Sequence, residues 1–153
     1  MRPKCTRAAS ATLHPISSAA LAAVWLLLQT SGTVVADGNH FTAGYCTWEA
    51  AERAHRAWGT WIPWFGDAGD WASGARAAGW TVSPVPQTNT IIVMPRRVQG
   101  SGPYGHVGWV LEVDPDGGGV TVLSMNWSQY SSLTQHHVQV DGVVQFIAPP
   151  ASD

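Results

Sequence analysis

The chain has 153 residues, the length of about one domain. It carries eight Lys and Arg against ten Asp and Glu, and three of the basic residues but none of the acidic ones fall within residues 1–36. The remainder therefore has five basic and ten acidic residues, a net charge of −5 with His neutral, and no lysine. This balance excludes a basic surface for nucleic acid or for an anionic membrane.

Residues 1–36 have the pattern of a secretory signal peptide. Three basic residues in the first seven positions precede an apolar run at 19–28, and small residues at 34–36 suit cleavage after Ala36. The alternative is an uncleaved membrane anchor, but the run is about half of the ~20 residues that a spanning helix needs. We therefore expect a domain at 37–153 that is secreted or associated with the cell wall and not attached to a membrane.

The cysteine count singles out Cys46. Cys5 would leave with the leader, so Cys46 is the only cysteine of the predicted domain. Exported proteins normally pair their thiols. A single thiol indicates an intermolecular disulfide, a reactive cysteine or an inert buried residue.

Two helices are predicted in the first half of this domain. The first begins at Cys46, because Trp48, Ala51, His55 and Trp58 recur at helical spacing and acidic residues stand four positions before basic ones. The second is predicted from about Ala68 to Ala78. Asp67 would cap its start, and Gly79 would end it.

The second half is predicted to form strands. The pattern indicates strand structure at 82–94, 106–113, 120–125, 133–140 and 143–148. Helices followed by strands that form an antiparallel sheet indicate an α+β domain, with N-terminal helices packed on the sheet.

A cysteine nucleophile requires activation and a nearby base. At the start of a helix, free N–H groups and the helix dipole favour the thiolate of Cys46. Among the histidines, His55 lies on an apolar helical stripe, and adjacent His136 and His137 face opposite sides of a strand. His106 follows a turn and begins an apolar strand, which makes it the preferred base over these residues and over His40.

The hairpin after His106 suggests an orienting partner. A three-residue loop at 115–117 would place Asp114 opposite Gly118. Counting back from there pairs His106 with Asn126, whose amide oxygen can hold the imidazole. The same face carries Ser124, two residues earlier.

Four strings in order resemble one known family. They are GYCTW at 44–48, GDAGDWASGARAAGW at 66–80, GHV at 105–107 and SMNW at 124–127. Together they resemble the CHAP family of cysteine, histidine-dependent amidohydrolases and peptidases, over essentially all of 37–153.

The resemblance implies a papain-like fold and a role for each matched residue. It implies Cys46 as nucleophile and His106 as general base in the cleavage of peptidoglycan, by an N-acetylmuramoyl-L-alanine amidase or a peptide endopeptidase through a thioester. Many members carry Glu where this chain has Ser124, so Asn126 would be the orienting residue here. Many also carry Gln where this chain has Tyr45.

Further residues are expected to contact substrate, and other ligands are expected to be absent. The candidates for substrate binding are aromatic or polar and border the proposed site: Tyr45, Trp48, Tyr104, Ser124 and Trp127. Residues 37–39 lack the ligand spacing of a calcium loop, so neither a metal nor a cofactor is predicted. No segment suggests a separate wall-binding module, so targeting is expected to depend on a partner protein.

Two other readings compete with a wall hydrolase. One is a degenerate CHAP domain that binds the cell wall without cutting it. The differences from the common family pattern at Ser124 and Tyr45 favour this reading. The other is a secreted amidase or protease with a different substrate.

Overall fold

Two helices pack on one face of a six-stranded antiparallel sheet in the computed structural model, which describes residues 38–150. This confirms the predicted α+β class, whereas the predicted signal peptide lies outside the described residues. The helices are α1 (Cys46–Trp58) and α2 (Trp71–Ala77), the latter preceded by a 3₁₀ turn at Ala68–Asp70. The strands are β1 (Thr81–Ser83), β2 (Ile91–Met94), β3 (His106–Val113), β4 (Gly119–Met125), β5 (Leu133–Gln139) and β6 (Gln145–Ala148). Their order in the sheet is β1-β6-β2-β3-β4-β5.

Helix α1 begins at Cys46, as predicted. Tyr45 has an extended backbone (φ −107°, ψ 159°), and the helix ends at left-handed Gly59, whose N–H donates to the carbonyl of His55. The buried face consists of Glu49 and three alanines, whose small side chains allow the helix to approach the sheet closely.

The second helical segment is shorter than predicted. Its first turn is 3₁₀, and α2 stops at Ala77, two residues before left-handed Gly79. The predicted capping role of Asp67 is wrong, because its side chain makes no cap hydrogen bond and instead accepts from Arg96.

The strand predicted at 82–94 is two strands. β1 and β2 are separated by residues 84–90, where Pro84 and Pro86 remove backbone donors from any ladder. All four residues of β2 are buried, which matches the apolar run IIVM.

The sheet is covered by apolar side chains on both faces. Between helices and sheet lie residues that include Ala50, Ala54, Trp71, Val93, Val107 and Trp109. The other face buries a second cluster, which includes Ile92, Met94, Val110, Val122, Val138 and Phe146. Within residues 38–150, no helix is long and apolar enough to cross a membrane.

The β3–β4 hairpin has the predicted register near His106, but its loop and its pairing near the loop differ from the prediction. The loop is longer than expected, because Asp114 donates its N–H to the carbonyl of Gly119, not to a partner at Gly118. A bulge between Val110 and Glu112 then shifts the pairing by one residue. Beyond the bulge Trp109 faces Leu123, which is the register that the predicted alignment of His106 with Asn126 requires.

Candidate active site

The start of α1 and the start of β3 meet at a cavity of about 500 Å³. Pockets of this size accommodate small organic groups. Cys46 reaches the cavity from α1, His106 from β3, and Asn126 from the residue after β4. The rest of the lining is Tyr45, Thr47, Gly66, Asp67, Ala68, Gly100, Gly102, Tyr104, Gly105 and Trp127.

Cys46 is half-buried, and burial raises the pKa of its thiol above the ordinary value. Backbone N–H groups of Val107, Thr47 and Cys46 itself oppose this shift but do not overcome it. The N–H groups at the helix start favour the thiolate, as expected, but desolvation of the sulfur outweighs them. The thiol is neutral at neutral pH.

His106 is buried, and its Nε2 lies 2.9 Å from the Oγ of Ser124. Burial, and secondarily the charge of His136, lower the pKa of His106 to about 3. The imidazole is therefore neutral at pH 7. If Nε2–H donates to the serine oxygen, Nδ1 is the unprotonated nitrogen that can accept a proton.

The hydrogen bond to His106 comes from Ser124, and none joins His106 to Asn126 within residues 38–150. The chain leaves the pleat after Met125, and Asn126 has a left-handed backbone (φ 61°) with its N–H donating to the carbonyl of Ser132. Asn126 lines the cavity instead. Ser124 was a candidate for substrate binding, but it is 1% exposed and lies outside the cavity, behind His106.

The aromatic candidates divide into two groups. Tyr45, Tyr104 and Trp127 line the cavity, and the two tyrosines are 44% and 66% exposed, so their rings are available to a ligand. Trp48 does not line it; its carbonyl accepts from Asn39 in the segment before α1.

The remaining histidines have other partners. His40 bonds through Nε2 to the carbonyl of Trp64 at 2.8 Å. His55 stacks on Trp61 at 3.9 Å, in agreement with its predicted packing role. His137 lies 2.9 Å from Asp114. His136 packs against both Trp127 and His106, with ring centroids 4.1 and 6.1 Å away.

The GDAGDW segment supplies one wall of the cavity through a close backbone contact. Gly69 donates its N–H to the carbonyl of Tyr104 at 2.9 Å. Gly105 is left-handed (φ 77°), and a Cβ there would stand 2.5 Å from the backbone of Gly69. Two glycines therefore let the 3₁₀ turn rest directly against the residue before His106.

Arg96 fixes the same turn electrostatically. Its guanidinium donates to both oxygens of Asp70, at 2.8 and 2.7 Å, and to Asp67 at 3.3 Å. These contacts lower the pKa of Asp70, and they raise that of Arg96. Asp67 is the single charged side chain among the described residues that line the cavity.

Sequence reasoning missed three contributors to the site. The N–H of Val107 and the role of Asp67 carry no signal in the sequence, because both depend on elements that are distant along the chain. The role of Ser124 was within reach, because the hairpin register placed it on the face of His106. Among residues 38–150, no group of three or more His, Cys, Asp or Glu side chains is arranged to hold a metal ion.

Comparison with known proteins gives a consistent family and fold. The family model described as CHAP domain matches residues 36–126. A probable autolysin, LDP, of Staphylococcus aureus is 30% identical over 110 residues, which cover 72% of this chain and 37% of the autolysin. A putative hydrolase of Streptococcus mutans is 38% identical over 118 residues, covering 72% of this chain and 51% of the hydrolase.

A solved structure has the same fold. It is an N-acetylmuramoyl-L-alanine amidase from Staphylococcus aureus, with a TM-score of 0.64 and 23% identity, covering 69% of this chain and 30% of the amidase. The chain thus spans from about a third to about half the length of the relatives it matches.

Proposed function

We propose that this chain, which belongs to the CHAP-domain family, is a secreted cysteine hydrolase that cleaves an amide bond of bacterial peptidoglycan. The observation that carries the proposal is the meeting of Cys46 and His106 at one cavity, with His106 held from behind by Ser124. A thiol and a neutral, oriented imidazole at one cavity are the groups that acyl transfer by a cysteine needs.

The charges at the site define the first step. Because the thiol and the imidazole are both neutral at rest, Nδ1 of His106 takes the proton of Cys46 as Sγ attacks the substrate carbonyl. The N–H groups of Val107 and Thr47, which bond to the sulfur, favour the partial negative charge on Sγ as its proton leaves.

The later steps return the enzyme to its starting state. The amide C–N bond breaks, the amine leaves with the proton from His106, and the acyl group stays on Sγ as a thioester. His106 then deprotonates a water that attacks the thioester. The carboxylic acid is released, and Sγ regains its proton.

Peptidoglycan is supported as the substrate by the relatives and by the shape of the site. The matched proteins include a probable autolysin and, in fold, an amidase of N-acetylmuramoyl-L-alanine. A second cavity of about 450 Å³ shares Tyr45, Thr47 and Gly66 with the first and continues to His40 and the exposed ring of Phe65. An extended groove bordered by exposed aromatic rings suits a polymer of sugar and peptide.

A non-catalytic wall-binding domain is the second candidate. It is favoured by the hydroxyl of Ser124, which lacks the charge that would stabilise an imidazolium, and by the raised pKa of Cys46. The two candidates differ in whether the wall is cut.

The deciding experiment measures dye release from labelled cell walls by the protein secreted from cells that express the full chain. Cys46→Ala and His106→Ala should each lower the rate by at least about 1,000-fold, because nucleophile and base act as a unit. His137→Ala, a surface histidine outside the cavity, should leave it unchanged.

Mass spectrometry of the fragments then identifies the bond. A new amino terminus on L-alanine indicates an amidase, and one within the stem or bridge peptide indicates an endopeptidase. Equal release by wild type and Cys46→Ala would overturn the assignment of the nucleophile. Wall binding without release by the wild type would establish the binding module.

A further inference from the structure

The rings of His106, Trp127 and His136 contact one another at the edge of the cavity. The ring of Trp127 meets that of His106 edge to face, with centroids 4.8 Å apart and planes at 62°. The ring of His136 lies flat on Trp127, at 4.1 Å and 2°. We infer that His136 is a positioning residue, which holds His106 in its orientation toward Cys46 by fixing Trp127. This inference rests on the proposed role of His106 as the base.

His106 needs a second contact to fix its ring. The hydrogen bond from Nε2 to Ser124 fixes one atom, and the imidazole can still rotate about that point and change the direction of Nδ1. The edge contact with Trp127 restricts this rotation, because aromatic pairs favour defined mutual orientations. The position of Nδ1 therefore depends on where Trp127 is held.

Trp127 lies in an irregular segment without strand pairing, and its side chain packs against the edge of the second apolar cluster. It is the second residue after β4, it lies between Asn126 and Ser131, which both have left-handed backbones, and its side chain is half-buried at the cavity edge. His136 by contrast is in the middle of β5, which pairs with β4 without interruption from Gly119↔Gln139 to Met125↔Leu133. Stacking on His136 transfers the rigidity of the sheet to Trp127.

The contribution of His136 comes from the flat face of its ring. Both ring nitrogens are buried and have no hydrogen-bond partner among the described residues. Burial also lowers the pKa of His136 to about 4, so the ring is neutral at pH 7. Its neighbour His137 points to the other side of the strand, toward Asp114, and is a matched control.

The first test compares substitutions of His136 that distinguish the effect of a planar ring from the effect of side-chain volume. His136→Phe keeps a flat ring and should leave kcat within about twofold of wild type. His136→Leu fills similar space without a planar face and should lower kcat about tenfold with KM unchanged. His137→Leu should change neither. Melting temperatures confirm that each variant is folded; His136→Met replaces the Leu variant if that one does not fold.

The second test does not require wall cleavage. The rate of Cys46 alkylation by iodoacetamide at pH 7 depends on proton transfer to His106, and we expect His136→Leu to slow it severalfold and His136→Phe to preserve it. In a Trp127→Ala background, His136→Leu should have a much smaller effect than in the wild type, because most of its influence passes through Trp127 and only the edge contact with His106 at 6.1 Å remains.

Two results would overturn the inference. One is a His136→Leu variant with normal kcat and a normal alkylation rate. The other is a His136→Phe variant as impaired as His136→Leu. A wild-type protein that cuts no wall would refute the proposed function instead, and the alkylation series would still report on His136.

Discussion

The hydrogen-bond partner of His106 shows how the end of a strand changes a site. The alternation of strand residues placed both Ser124 and Asn126 on the face of His106, and the resemblance favoured Asn126. The structure selects Ser124, because β4 ends at Met125 and Asn126 turns into a left-handed conformation. The end of a strand is set by the following loop, which periodicity alone does not describe.

Loss of the Ser124 hydroxyl should therefore impair catalysis. Ser124→Ala removes one buried hydrogen bond, worth about 1 kcal/mol, and should lower kcat about fivefold while KM stays constant. Wall-hydrolysis kinetics provide the measurement, with Ser128→Ala in the exposed loop as control. A normal kcat for Ser124→Ala, together with a low one for Asn126→Ala, would return the orienting role to Asn126.

Among the elements, the contact between the 3₁₀ turn and the start of β3 fixes the shape of the cavity wall. The turn approaches so closely that Gly69 and Gly105 touch through their backbones. The sequence motif containing Gly69 was recognisable, but its partner lies 36 positions away along the chain. Only the assembled structure shows that the two glycines are needed for one contact.

Substitution of Gly105 should be much more harmful than substitution of an open glycine. Gly105→Ala combines a left-handed conformation, which costs about 1–2 kcal/mol, with a clash against backbone that adds about 1–3 kcal/mol. Gly117→Ala has a similar φ of +72° but no atom within 4 Å of the new Cβ, so it should show the conformational cost alone. Urea unfolding measures the loss of stability in both variants. Equal losses would show that the backbone of Gly69 moves aside without cost.

For the whole molecule, burial of imidazoles links stability to pH. Folding lowers the pKa of His106 from 6.5 to about 3 and that of His136 from 6.5 to about 4. Between these values and 6.5, the unfolded chain binds more protons than the folded one. These two groups therefore leave the free energy of unfolding at its full value above pH 6.5 and lower it as the pH falls toward 3.

The melting temperature should accordingly fall between pH 6.5 and pH 3, in addition to any effect of the carboxylates. His136→Phe removes one of the two imidazoles whose pKa is lowered by folding and should make the fall shallower, because that residue no longer takes up a proton on unfolding. Differential scanning calorimetry across this range provides the measurement. An identical pH dependence for wild type and His136→Phe would contradict the buried, neutral state of His136.

The sequence by itself determined the start of α1 at Cys46, the α+β class, the strand that begins at His106 and the set of candidate partners on its face. These features depend on local spacing, on caps and on side-chain alternation, which act between near neighbours. Tertiary structure decided the neutral state of the Cys46–His106 pair, the choice of Ser124 and the stacking of His136 on Trp127. Burial and contact across strands produce those three results, and neither is defined until distant segments have packed together.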